Sequence, residues 1–188
     1  MKIYLLFVAG LGIMAAAGGS RADALLLDKN ADTCQVFEAL NGPENVPEQC
    51  RKPRSLTRGI SVKKAEPAAP RFDRAMLPDI SFDYGSDELS PAARQELDKV
   101  AAVMSAPQSV DQRYRVEGNT DRKGSDAYNR QLSRARAESV KQYLIEKGVS
   151  GQQLSVVGNG FHNLLDPLHP FDGINRRVEF LNQSVKTK

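Results

Sequence analysis

From residue 74 onward the apolar positions follow two periods, and these alternate along the chain. A period of two marks four candidate strands: residues 80–84, with Ile80, Phe82 and Tyr84 on one face, 114–118, 154–157, and 177–181, with Val178 and Phe180 on one face. A period of 3.6 marks two helices. Ser90-Pro91 opens the first, with proline at a position whose N–H would lack a helical partner in any case. Ala93, Leu97, Val100, Ala101 and Met104 form its apolar stripe. The second opens at Ser125 or Asp126, both of the N-cap type, and runs through Lys147 to stop at Gly148. The order β-α-β-α-β-β predicts an α+β two-layer sandwich, two helices packed on a mixed four-stranded sheet.

The second helix breaks its own pattern. With residues set about 100° apart, Asn129, Leu132, Arg136, Val140 and Tyr143 fall within roughly 60° of one another. That stripe should face the sheet, and Arg136 stands in its middle. A charge at such a position is costly unless something meets it. Asp121 lies just past the end of the preceding strand. One carboxylate and one guanidinium converging on a small cleft suit a ligand that carries both an ammonium and a carboxylate. Arg130, Arg134, Glu138 and Lys141 read as solvated helix surface, and Glu117 and Glu179 as exposed or edge positions.

The first part of the chain reads differently. Lys2, an apolar run over residues 3–17 and the small-residue pattern Ala22-Asp23-Ala24 predict a signal peptide over residues 1–24. The run is short for a membrane span, and no later segment is apolar enough for one. Export to the periplasm makes Cys34 and Cys50 a disulfide pair, because two cysteines without nearby partners cannot complete a zinc site. Residues 25–60 form a small stapled segment in which Asp32 caps a short helix bearing Val36, Phe37 and Leu40. Residues 61–73 are a Pro/Ala-rich linker, and 74–188 the main domain. The net charge of +3 makes no case for a nucleic-acid surface. His162, Asp166 and His169 lie in a proline-broken stretch without metal-ligand spacing. No nucleophile with a partnered base or paired acid–base carboxylates stand out, so neither enzyme, metal nor cofactor is expected.

Four motifs in order carry a family resemblance: VEGNTD at the strand end; Asn129-x-x-Leu132-Ser133-x-x-Arg136-Ala137-x-x-Val140 on the helix; Gly158-x-Gly160; and Asn175-Arg176-Arg177-Val178-Glu179. Together they resemble the OmpA-like C-terminal domain, the peptidoglycan-associated module of outer-membrane porin-like proteins, the peptidoglycan-associated lipoprotein and flagellar motor stators. The resemblance implies non-covalent binding of peptidoglycan through the diaminopimelate of its stem peptide. It assigns Asp121 to the ammonium of that residue and Arg136 to its carboxylate. Thr120, Asn129 and Arg176 match positions that line the same cleft, and the loop 85–87 is expected to close one wall. Asn119 stands where the family commonly has histidine, and Phe161-His162 where a glutamate is common.

The resulting expectation is a periplasmic cell-wall tether, associated with peptidoglycan or the outer membrane. The alternatives are an adaptor whose residues 25–60 bind an envelope protein partner, and a wall-acting hydrolase.

Overall fold

The computed structural model describes residues 25–26, 31–42, 45–51, 74–76, 82 and 85–184. The signal peptide expected over residues 1–24 and the linker expected over 61–73 lie outside the described residues. Five strands form one sheet: β1 (Leu25–Leu26), β2 (Arg74–Met76), β3 (Tyr114–Asn119), β4 (Leu154–Gly158) and β5 (Arg177–Asn182). Their order is β1-β2-β5-β3-β4. β5 runs antiparallel to both β2 and β3, whereas β3 and β4 are parallel. A parallel pair needs a crossover, and the long helix α3 (Asp126–Glu146) supplies it. Helices α1 (Thr33–Asn41) and α2 (Pro91–Met104) complete the helical layer.

The helix ends follow the local chemistry that the sequence encodes. The Ser90 hydroxyl accepts from the Ala93 N–H and the Ser125 hydroxyl from the Tyr128 N–H, while Asp32 and Gln35 form a capping box at α1. The core lies between the layers. Tyr114, Val116, Val178 and Phe180 of the sheet meet Leu97, Val100, Met104, Val140 and Leu144 of the helices, all 0–1 % exposed. Burying each such side chain contributes about 1.5–3 kcal/mol.

Two features differ from the sequence expectation. The strand beside β5 is Arg74–Met76, and Phe82 of the expected 80–84 strand makes only an isolated antiparallel bridge with Leu89. Residues 80, 81, 83 and 84 lie outside the described ones. The second difference is α1, a third helix in the layer. Val36, Phe37 and Leu40 are buried in the same core as α2 and the sheet. Two buried polar bonds lock α1 to the strand ends: Tyr114 Oη donates to Asn41 Oδ1 at 2.8 Å, and Asn182 Nδ2 to the Leu40 carbonyl at 2.8 Å. The Cys34–Cys50 disulfide joins α1 to the turn that follows it. Closing a loop of this size contributes roughly 3 kcal/mol.

Candidate functional site

The site lies where the β3–β4 ladder runs out. The Asn159 N–H bonds to the Gly118 carbonyl and the Thr120 N–H to the Gly160 carbonyl, both at 2.9 Å, so residues 119–121 leave the sheet along a fixed path. Asp121 Oδ1 accepts the Lys123 N–H at 2.9 Å, a side-chain turn that fixes the carboxylate. Its other oxygen accepts Arg176 Nη1 at 2.7 Å. Arg176 remains half-exposed while Asp121 is buried.

Arg136 approaches from α3. It is 3 % exposed, its Nε donates to the Ser86 carbonyl at 2.9 Å, and its guanidinium lies 4.9 Å from the Phe82 ring centroid. Burial holds its pKa below the usual arginine value, and neighbouring Arg176 acts in the same direction, while Tyr128, Asp121 and Asp87 oppose both. A buried cation of this kind gains more from an anion than a solvated one does.

All five residues expected at the site, Thr120, Asp121, Asn129, Arg136 and Arg176, line one cleft of about 30 Å³. Gly85 closes a wall as expected, and Lys123, Tyr128 and Leu132 complete the lining. Lys123 and Tyr128 carried no signal in the sequence, since neither interrupts a periodic pattern. The buried Thr120 hydroxyl has no hydrogen-bond partner among the described residues. Asn129 has a structural task as well: its amide donates to the Lys123 and Ser125 carbonyls at 2.9 and 3.1 Å, holding the turn before α3. A wider open groove of about 690 Å³ runs between α2 and α3; it takes Asp87 of the loop expected to wall the cleft, but none of the five expected site residues.

The departures from the family pattern fall outside the lining. Asn119 is turned to the far face, where its Oδ1 accepts Asn159 Nδ2 at 3.1 Å. His162 sits against Asp126 at 2.5 Å on the exposed start of α3.

Two charge assignments need correction. Glu117 and Glu179, expected at exposed or edge positions, are 4 % and 2 % exposed. Arg177 is buried with them, and three arginines from separate strands neutralise the pair. The strand period showed which face these residues occupy, not how closely that face is closed.

The OmpA family model matches residues 81–172, a stretch that contains Thr120, Asp121, Asn129 and Arg136. The chain carries an OmpA-family domain. Outer membrane protein P5 of Haemophilus influenzae is 36% identical over 117 residues, covering 58% of this chain and 33% of that protein. Outer membrane porin F of Pseudomonas aeruginosa is 32% identical over 176 residues, 92% of this chain and 48% of its own length. The crystal structure of the C-terminal domain of Helicobacter pylori MotB shares the fold of the OmpA-family domain with a TM-score of 0.50. It is 25% identical, and the match covers 56% of this chain and 84% of that one. The chain therefore spans less than half the length of these two curated relatives. No helix among the described residues is long and apolar enough to cross a membrane.

Beside the cleft, the His169 ring meets Asp166 at 2.6 Å, and that carboxylate raises the imidazole above its ordinary 6.5. A raised folded-state value means the stabilisation is fully present below the unfolded value and is lost as pH rises through the folded one. An NMR titration will place the His169 midpoint above 6.5, and Asp166→Asn will lower it, with Asp172 left as the remaining carboxylate that raises it. A wild-type midpoint at or below 6.5 contradicts the pairing.

Proposed function

We propose that this OmpA-family domain binds peptidoglycan non-covalently through the diaminopimelate of its stem peptide, and so tethers an envelope protein to the cell wall from the periplasmic side. The observation that carries the reading is the meeting of a buried carboxylate, Asp121, and a buried guanidinium, Arg136, on the walls of one small cleft. The far end of diaminopimelate is a zwitterion of matching charge, and seating it requires the small cleft to widen as Arg176 moves. Its ammonium would take the Asp121 oxygen now bonded by Arg176, and its carboxylate would be met by Arg136. Arg176, half-exposed, is the side chain that must turn aside, and it could then assist Arg136 on the same carboxylate. The Thr120 hydroxyl would gain its first partner. The chemistry is recognition without bond-making, and we read the domain as a binder and not a hydrolase.

The test is sedimentation with purified diaminopimelate-type peptidoglycan. Charge-assisted hydrogen bonds contribute about 1.5–3 kcal/mol each, so Asp121→Ala and Arg136→Ala will each weaken binding roughly ten- to a hundred-fold. Lysine-type peptidoglycan lacks the carboxylate and will bind less than the diaminopimelate type. Circular dichroism separates loss of binding from loss of fold. Undiminished pelleting in both folded variants refutes the reading.

A further inference from the structure

Six large apolar side chains are exposed among the described residues, and four of them, Leu165, Leu168, Phe171 and Ile174, fall within ten residues of one loop. Leu168 is 86 % and Phe171 66 % exposed. Scattered singly, such residues need no explanation, but a cluster does.

The loop is also firmly held. Asn175, fully buried, accepts the Asp166 N–H at 2.9 Å and donates to the His169 carbonyl at 2.9 Å. Asp172 accepts the Ile174 N–H at 3.0 Å, and Arg177 Nη2 donates to the Asn163 carbonyl at 2.9 Å. A loop fixed from within by buried polar bonds presents its apolar side chains to solvent in a set arrangement.

Its location indicates what those side chains meet. The Pro170 carbonyl accepts the N–H of Arg122, the residue after Asp121, at 2.9 Å. The Gly173 carbonyl accepts the N–H of Arg176, whose guanidinium lies on Asp121, also at 2.9 Å. Phe171 therefore lies in a segment whose backbone is tied at Pro170 to the residue after Asp121 and at Gly173 to the arginine that bonds Asp121, which puts the exposed ring next to the cleft in the chain's own connections.

We propose that Phe171, with Leu168 and the exposed Asp172, forms a second subsite that takes a pyranose ring of the glycan strand to which the stem peptide is attached. The proposal rests on the cell-wall reading above. A pyranose presents a C–H-rich face that stacks on an aromatic ring and a rim of hydroxyls that donate to carboxylates and imidazoles. The loop offers that mixture: Phe171 and Leu168 interleaved with Asp166, His169 and Asp172. An anionic lipid surface fits less well, because Asp166 and Asp172 lie within the loop among the apolar residues and oppose the attraction of Arg122 and Arg176 at its edges.

The experiment is calorimetry on the full chain with two probes: the tripeptide ending in diaminopimelate, and the same tripeptide carrying its N-acetylglucosaminyl-N-acetylmuramyl disaccharide. The wild type will bind the disaccharide-bearing probe about ten-fold more tightly than the bare tripeptide. Phe171→Ala will remove most of that gain and leave tripeptide affinity within about two-fold, whereas Phe171→Tyr will keep the gain. A wild type without the gain, or a Phe171→Ala variant that retains it, overturns the subsite alone. Absence of tripeptide binding overturns the cell-wall reading and the subsite with it. A third arm uses vesicles of phosphatidylethanolamine and phosphatidylglycerol. Pelleting with them that depends on Phe171 and Leu168, without a disaccharide gain, assigns the loop to lipid and overturns the sugar assignment.

Discussion

Gly118→Ala will destabilise the domain by about 3 kcal/mol or more and abolish cell-wall binding beyond what the lost stability explains. A Cβ built on Gly118 would lie 2.0 Å from the Ser133 carbonyl oxygen and 2.8 Å from its carbon. Those are backbone atoms in the middle of a helix, so no side-chain rotation relieves the clash and α3 must move off the sheet. The partner of Gly118 on the neighbouring strand is Gly158, where a Cβ would lie 2.5 Å from the Arg134 nitrogen. The two glycines form a flat floor on which one turn of α3 rests directly. The Ser133 hydroxyl accepts the Gly160 N–H at 2.9 Å from the same turn, which fixes the helix along the strand direction. Arg136 is one turn farther on, so any lift of α3 carries the guanidinium away from Asp121. Urea denaturation will show a lower midpoint with an unchanged slope. Gly158→Ala will behave alike, and the double variant will cost less than the sum, because one displacement of the helix relieves both clashes. A Gly118→Ala protein with wild-type midpoint and pelleting would mean that α3 does not seat against the strands in this way.

That packing also explains which parts of the structure were legible in the sequence. The long periodic segments were: α2, α3 and strands β3 to β5 lie where periods of 3.6 and two placed them, and Ser90, Ser125 and Gly148 mark helix ends by their local chemistry. Arg136 was legible because a charge within an apolar stripe is anomalous on its own. The face of α3 against the sheet was placed slightly wrongly. Leu132 falls within the apolar stripe by helical period yet is only partly buried, whereas Ser133 and Ala137, outside that stripe, are fully buried beside Val140. A helix that touches glycines needs small residues, and hydrophobicity alone does not encode closeness. β2 escaped because three residues are too few to show a period. The Asp121–Arg176 pair escaped for another reason: its partners are 55 residues apart and only the folded sheet brings them together.

The same limit applies most strongly to the charges on the sheet face away from the helices, where Arg177→Ala will cost about 3–5 kcal/mol of stability. Glu117 and Glu179 are directly opposed on β3 and β5, and like charges so placed repel. Arg74 spans both, with Nη1 at 3.0 Å from Glu117 and 2.6 Å from Glu179. Arg115 adds a bond to Glu117 at 2.7 Å, and Arg177 Nε adds one to Glu179 at 2.7 Å. Without Arg177, Arg115 still serves Glu117, but Glu179 is left only its share of Arg74 and keeps a charge that water cannot reach. Removing that charge as well should recover much of the loss, so Arg177→Ala with Glu179→Gln will be more stable than Arg177→Ala alone. Arg115→Ala is the internal control. Its side chain is 32 % exposed, so solvent replaces what it gives up and the cost stays near about 1 kcal/mol. Thermal melts of the four proteins decide the matter. Equal costs for Arg177→Ala and Arg115→Ala, or no recovery in the double variant, would show that this array is hydrated and that burial of Glu179 does not set its energetics.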